Sequence, residues 1–274
     1  MIDKVLRMLP AFRGKQRLAR LLLKRKLSYT KDALIEGKYG CTYKIPNIKE
    51  SIGFELYTNG VYEEEIIDFI KTRIPANGTL LDVGANIGVI TIPVIKQRKD
   101  IKVTCLEASP RVFNYLLFNI NNNQLYHCVL LNNAVTDTDD DVVSFFSPEE
   151  QFGKGSLSSV FTKEAESVET IRIDTLIAGN KLLKVDFIKI DIEGYEYYAF
   201  KGGAILLNSN SSPDILFEFV DWAEELAKDF RPGDAQKLLM QYGYKLFIVS
   251  KKGKITPLST PLTKGGAMIF ASKK

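Results

Sequence analysis

The sequence of 274 residues predicts an α/β fold, a mostly parallel sheet with helices on both faces, on three observations. Short apolar runs bounded by polar turns recur at Leu80 to Val83, Val103 to Glu107, Val129 to Asn133, Phe187 to Asp191 and Asp214 to Phe219, with helical patterns between several of them. The first run ends in a glycine-containing turn that opens a helical pattern. In a parallel sheet such a turn lies at the carboxyl ends of the strands, where ligands bind. Two late runs, Tyr244 to Val249 and Ala267 to Ala271, fit an antiparallel pair that completes the sheet.

Composition narrows the function classes before any motif is considered. Apolar residues at 45% and charged residues at 26% exclude disorder, collagen and coiled coil as descriptions of the whole chain. The single histidine, His127, removes mechanisms built on a histidine cluster, whether a zinc site or a paired acid and base. Cys41, Cys105 and Cys128 are too scattered for a disulfide framework, and no CxxC spacing offers a metal knuckle. A reducing, cytoplasmic compartment is the simplest reading.

The formal charge of +4 averages two unlike parts. Residues 1–27 hold nine basic groups (Lys4, Arg7, Arg13, Lys15, Arg17, Arg20, Lys24, Arg25, Lys26) against Asp3, so the remainder is net acidic. The longest apolar run of this arm, Leu21-Leu22-Leu23, is too short for an export signal or a membrane span. On a helical wheel Leu18, Leu21 and Leu22 share a face with Arg13, Arg17, Arg20 and Lys24 beside it, which makes a basic amphipathic helix. Two readings follow: contact with an anionic surface, either a membrane or a phosphorylated partner, or docking of the leucines on the body or a second subunit. Residues 1–40 are therefore read as an extension and 41–274 as one domain, with an inserted hairpin and lid spanning residues 141–175 or so.

Residues 41–59 read as β-rich from the alternation in Gly53-Phe54-Glu55-Leu56-Tyr57, with a turn at Asn59-Gly60. Glu63 to Arg73 reads as a helix burying Ile66, Ile67, Phe69 and Ile70, stopped by Pro75 and Asn77-Gly78. Ser109 and Pro110 suit the N-cap and first position of a helix running to Asn119 or so. Between the third and fourth core strands lie roughly 50 residues, too many for one crossover helix. Strands at Val142 to Phe146 and Val168 to Asp174, with a polar loop from Ser147 to Ser159, read as an inserted hairpin. Its tip, Gly153-Lys154-Gly155-Ser156, is expected to act as a lid over the ligand edge.

The turn itself reads Asp82-Val83-Gly84-Ala85-Asn86-Ile87-Gly88. A dinucleotide site wants G-x-G-x-x-G, so that a pyrophosphate sits on the helix N-terminus. Here Asn86 replaces the middle glycine and Asp82 would repel a pyrophosphate, whereas a cationic ligand is favoured. S-adenosylmethionine, with its sulfonium and ammonium, fits this electrostatics better than NAD. Glu107 ends the second strand, where a carboxylate accepts the hydroxyl protons of a ribose diol. Asn133 ends the third, suited to an adenine edge. Lys189 and Asp191 share one face of the fourth strand, followed by Glu193 and Glu196, and Glu218 reaches the same edge from the fifth. Such a cluster framed by buried aliphatics is costly unless paired or useful.

The "DVGANIG" segment beginning at Asp82, Glu107, and the Lys189-Ile190-Asp191-Ile192-Glu193-Gly194-Tyr195-Glu196 run together resemble the FkbM family of class I S-adenosylmethionine-dependent methyltransferases, over roughly Gly60 to Phe247. The resemblance implies a Rossmann-like, seven-stranded class I methyltransferase sheet. It also implies O-methylation of a hydroxyl on a sugar, glycan or natural product, without an obligatory metal. It assigns Asp82, Gly84, Asn86 and Gly88 to the cofactor loop and Glu107 to the ribose. Asp174 matches a recurrent family aspartate, and capping of the helix that follows explains it equally well. The arm lies outside the resemblance.

In-line methyl transfer needs positioning and a base. The one histidine, His127, lies in an apolar stretch beside Cys128 at the start of the third strand, so a carboxylate is expected to orient or deprotonate the acceptor: Asp191 first, Glu193 or Glu218 next. Asp191 also borders the expected cofactor site. A divalent ion shared by Asp191 and Glu218 is possible but not expected. Two other classes stay open: a nucleic-acid methyltransferase using the basic arm, disfavoured by the acidic body, and a non-catalytic partner protein on a cofactor fold.

Overall fold

The structure, a computed structural model, describes residues 6–7, 14–179, 184–227 and 229–274; Lys4 and Arg13 of the basic arm lie outside the described residues. The arm forms α1 (Lys15–Leu22) and α2 (Lys24–Tyr29), followed by the antiparallel ribbon β1 (Lys31–Glu36) and β2 (Thr42–Asn47). This ribbon spans position 40, so the boundary expected there runs through a hydrogen-bonded pair of strands.

Residues 51–59 are not β-structure. They form α3 (Ser51–Asn59), because Glu50 caps its first turn by accepting from the Ile52 N–H at 2.7 Å and Gly60, at φ 76°, closes its end. The period-two alternation of Phe54 and Leu56 fits a short helix equally well, and the caps decide between the two. After α4 (Glu64–Arg73) comes the run β3 (Thr79–Val83), α5 (Thr91–Gln97), β4 (Lys102–Leu106), α6 (Pro110–Asn122) and β5 (Val129–Leu131). Ser109 caps α6 by accepting from Val112 N–H. Asn119 on α6 and Asn123, the residue that caps its C-terminus, exchange amide hydrogen bonds with the backbone of Lys44 and Thr42 respectively, clamping β2 to the helix.

The insertion is a separate three-stranded sheet ordered β6 (Ala134–Val135), β8 (Glu166–Ile171), β7 (Val142–Phe145). The strand expected through Asp174 stops at Ile171, and Asp174 lies in the first turn of α7 (Ile173–Ala178). The chain continues through β9 (Phe187–Ile190), α8 (Glu196–Gly202), α9 (Ala204–Asn208), β10 (Asp214–Val220), α10 (Asp221–Leu226), α11 (Asp234–Gln241), β11 (Lys245–Val249), β12 (Ile255–Leu258) and β13 (Gly266–Ser272). Asp174 does not cap its own helix; it accepts from Ile205 N–H and Leu206 N–H, both at 3.0 Å, in the first turn of α9.

The main sheet is ordered β5-β4-β3-β9-β10-β13-β11-β12. The pairs from β5 to β10 are parallel and those beyond are antiparallel, so the expected sheet carries one added edge strand, β12. Alternating side chains enter two cores. Leu80, Val103, Phe187 and Leu216 pack on one face, while Leu81, Leu106, Ile188 and Phe217 pack on the other. From β3 the strand order runs outward both ways. The switch point therefore falls between the carboxyl ends of β3 and β9.

Candidate active site

A cavity opens at that switch point, lined by Gly84 and Asn86 after β3, Glu107 after β4, Asn133 after β5, Asp191 and Glu193 after β9, and Glu218 of β10. Seven of the nine residues expected at the site meet there. Asp82 and Gly88 do not line it. Asp82 is buried behind the turn, 3.3 Å from Lys189 Nζ and accepting a hydrogen bond from the Thr91 hydroxyl. Gly88, at φ 86°, faces Ile92 and Leu116, and a Cβ there would come within 2.8 Å of Ile92. Both build the turn from behind.

The turn is held by close approach. Gly84 sits at φ 77°, and a Cβ on it would lie 2.0 Å from the carbonyl oxygen of Asp191, so only glycine lets the two strand ends meet. Lys189 Nζ donates to the Gly84 carbonyl at 2.9 Å and lies 3.8 Å from Asp191. Burial would lower the Lys189 pKa, but Asp82 and Asp191 beside it raise it, so the ammonium stays charged. Asp82 is thus neutralised, and the negative potential of the cavity comes from other groups.

Those groups are Glu50, Glu63, Glu107, Asp191, Glu193 and Glu218. Glu107 accepts from Asn86 N–H at 2.9 Å and Ser109 N–H at 3.0 Å, which leaves lone pairs on both oxygens for a ligand. Burial pushes the Glu63, Glu107 and Glu193 carboxyls up to about 7 and Glu218 up to about 8. For Glu63, Glu193 and Glu218 the charge of Asp191 adds to burial. Lys154, from the expected lid, is 3.6 Å from Glu193.

Gly153, Lys154 and Gly155 line the cavity, as does Phe152, whose carbonyl accepts from the Asn86 side-chain amide at 3.1 Å. The insertion is therefore tied directly to the glycine turn. Glu196, the last acid of the second motif, is fully buried and accepts from Ile192 N–H at 3.1 Å, closing the loop that presents Asp191 and Glu193. His127 is exposed in a turn before β5 and is not among the lining residues. Among the described residues no group of three His, Cys, Asp or Glu side chains is arranged to hold a metal ion.

Glu63 and Tyr62 were not anticipated as site residues. In the sequence Glu63 opens a run of three glutamates that reads as a helix start. Its left-handed backbone, φ 44°, marks it as the residue where the chain turns into α4, and only the tertiary fold sets it near Asp191.

The donor set fits S-adenosylmethionine: a buried carboxylate with free lone pairs at a strand tip for a diol, a glycine turn without side chains, and several anionic groups for a cation. The fold is similar to solved methyltransferase structures at low identity. One is a precorrin-6y C5,15-methyltransferase from Geobacter metallireducens, at 13% identity over 77% of this chain and 87% of that one, TM-score 0.44. A second is a TehB-like SAM-dependent methyltransferase from Corynebacterium glutamicum, at 13% identity over 78% and 89%, TM-score 0.45. A third is M. jannaschii TYW2 in complex with AdoMet, at 18% identity over 89% and 87%, TM-score 0.42. No curated protein sequence matches the chain. The family model of the methyltransferase FkbM domain matches residues 82–246, from the aspartate of the glycine turn to β11. The chain belongs to the FkbM family of S-adenosylmethionine-dependent methyltransferases.

Proposed function

We propose that the enzyme methylates a hydroxyl of a sugar, glycan or polyhydroxylated natural product. The observation that carries this reading is the set of raised carboxyls, Glu63, Glu193 and Glu218, facing the same cavity as the glycine turn, with no histidine or cysteine in its lining. A hydroxyl is a poor nucleophile until its proton is taken, and a base with a pKa near the working pH does this best. The same anionic wall would hold an amine in its protonated, unreactive form and repel a polyanionic nucleic acid. Sugar hydroxyls, in contrast, donate readily to several carboxylates at once.

S-adenosylmethionine supplies an electrophilic methyl group on a sulfonium. In this reading Glu107 holds its ribose, Asn133 borders the adenine, and Gly84 and Asn86 form the floor. Asp191, beside Lys189, supplies a fixed negative charge at the reacting end, while Glu218 or Glu193 takes the acceptor proton. The test is transfer of labelled methyl to a panel of monosaccharides, nucleotide sugars and polyhydroxylated macrolides. Glu218→Gln is expected to retain S-adenosylmethionine binding in calorimetry, weakened only by the loss of one anionic group, and to lose about 10²–10⁴-fold in turnover. Label recovered on nitrogen or carbon, or wild-type turnover in Glu218→Gln, Glu193→Gln and Asp191→Asn alike, overturns the reading.

A further inference from the structure

The arm departs from its simplest sequence reading. The leucine face that the wheel defines does not dock on the body: Leu18, Leu21 and Leu22 are 41%, 67% and 54% exposed, and Tyr29 is 85% exposed. The opposite face does the docking. Ala19 and Leu23 are buried, the Arg20 guanidinium lies 4.2 Å over the Phe54 ring, Lys26 Nζ lies 4.9 Å over Tyr57, and Gln16 bonds Glu55, all against α3. Arg7 adds hydrogen bonds to the carbonyls of Leu56 and Tyr57 at the end of that helix. The arm is fixed by one face, and among the described residues nothing covers the other.

The uncovered face has a definite chemistry. Arg17, Leu21 and Arg25 follow one another at helical spacing of four, beside the row Leu18 and Leu22. No acidic residue occurs between Gly14 and Lys31. Among the described residues no helix is long and apolar enough to cross a membrane, so this is a surface element. We propose that α1 and α2 dock on an anionic lipid surface, leucines in the headgroup boundary and arginines on lipid phosphates. Such a surface takes both parts of the face. A nucleic acid would take the arginines and leave the leucines in water, and a second copy of the chain would bring an equally basic face against this one.

Placement gives the docking a consequence. Glu50, Ser51 and Ile52, at the start of α3, line the catalytic cavity, while Phe54 and Tyr57 of the same helix carry the arm. One helix thus separates the lipid-facing surface from the site, which suits an acceptor presented at a membrane.

Sedimentation of the full-length protein with vesicles tests the proposal. Binding to mixed phosphatidylglycerol and phosphatidylcholine vesicles is expected, with none to phosphatidylcholine alone and a loss on raising salt. At about fivefold per basic residue, reversing both charges in Arg17→Glu/Arg25→Glu should weaken binding at least about 25-fold. Leu21→Ser/Leu22→Ser should weaken it at unchanged charge, and an unchanged melting temperature in both variants shows that the fold is kept. Failure to sediment with anionic vesicles at low salt overturns the proposal. So does binding indifferent to the leucine pair, preferential binding of an RNA homopolymer, or a dimer that Leu21→Glu dissolves in the absence of any vesicle association.

Discussion

The two walls of the cavity treat charge in opposite ways. On the wall formed by β3, β4 and Lys189 of β9 each charged group has a fixed partner within the protein: Asp82 is paired with Lys189 and accepts from the Thr91 hydroxyl, Lys189 faces two carboxylates and the Gly84 carbonyl, and Glu107, though raised to about 7 by burial, accepts from two backbone N–H groups that pull it back down. On the wall formed by the loop after β9, by β10 and by Glu63, three carboxyls are crowded by burial and by Asp191, with Lys154 as a cation bordering them. A paired charge in low dielectric is a fixture, because separating it is costly. A crowded, raised carboxyl near neutrality can exchange its proton within a catalytic cycle. The first wall is built to hold and the second to react.

Breaking the first wall should produce the largest effect on stability. Lys189→Met strands Asp82 as an uncompensated buried anion and is expected to destabilise the fold by about 3–5 kcal/mol in chemical denaturation. The pair lies in direct register, Asp82 on β3 opposite Lys189 on β9. The double variant Asp82→Leu/Lys189→Met should recover most of the loss, since no charge is then left unpaired. Recovery of stability without recovery of cofactor binding would separate the structural role of the pair from its hold on the Gly84 carbonyl. A single variant as stable as wild type contradicts the description of this wall.

The second wall responds to pH. The carboxyls of Glu63, Glu193 and Glu218 have folded pKa values of about 7, 7 and 8, above the ordinary glutamate value. Below about pH 4 both the folded and unfolded forms are protonated and their contribution is complete; as pH rises toward 8 the unfolded chain ionises first, so stability falls. The melting temperature of the free protein should decline across about pH 5–8. A cationic ligand favours the ionised carboxylates, so the rise in melting temperature produced by S-adenosylmethionine should widen over the same window. Glu63→Gln/Glu218→Gln should flatten both trends.

The contrast between the walls explains what could be read from the sequence. The glycine turn and the tips of β4 and β9 were legible because strand, turn and helix signals are local and the acids fall at strand ends. The cationic preference was legible too, but on the wrong residue. The glycine turn alone points to Asp82, which a lysine more than a hundred positions away neutralises, while the acids that line the cavity are Glu50, Glu63, Glu107, Asp191, Glu193 and Glu218. Glu63 was illegible because nothing in Tyr62-Glu63-Glu64-Glu65 distinguishes a site residue from a helix start. Residues 51–59 were misread because five residues of alternation fit two periods, and the deciding contact is a Glu50 side chain on one N–H group. Of the directions that a wheel leaves open for Leu18, Leu21 and Leu22, docking on the body is the one their exposure removes, since a wheel shows which residues share a face but not what lies against it.

The smallest expected effect on stability sharpens the contrast most. Lys154 is 40% exposed and pairs with Glu193 at 3.6 Å, so Lys154→Ala should change stability by no more than about 1 kcal/mol. Its charge nevertheless lowers both Glu193 and Glu218 from where burial and their anionic neighbours would otherwise set them. Without it both carboxyls hold their protons to higher pH. Because the base must be ionised to accept the hydroxyl proton, the rise of turnover with pH should move to higher pH in Lys154→Ala and stay in place in Lys154→Arg. At acidic pH Lys154→Ala should therefore be the slower enzyme, and at alkaline pH the difference should close. A profile that falls uniformly at every pH would instead mean that Lys154 positions the insertion over the cavity and leaves the titration of the wall alone. That result would take the proton from Glu193 and Glu218 and return it to Asp191, whose nearest cation is Lys189.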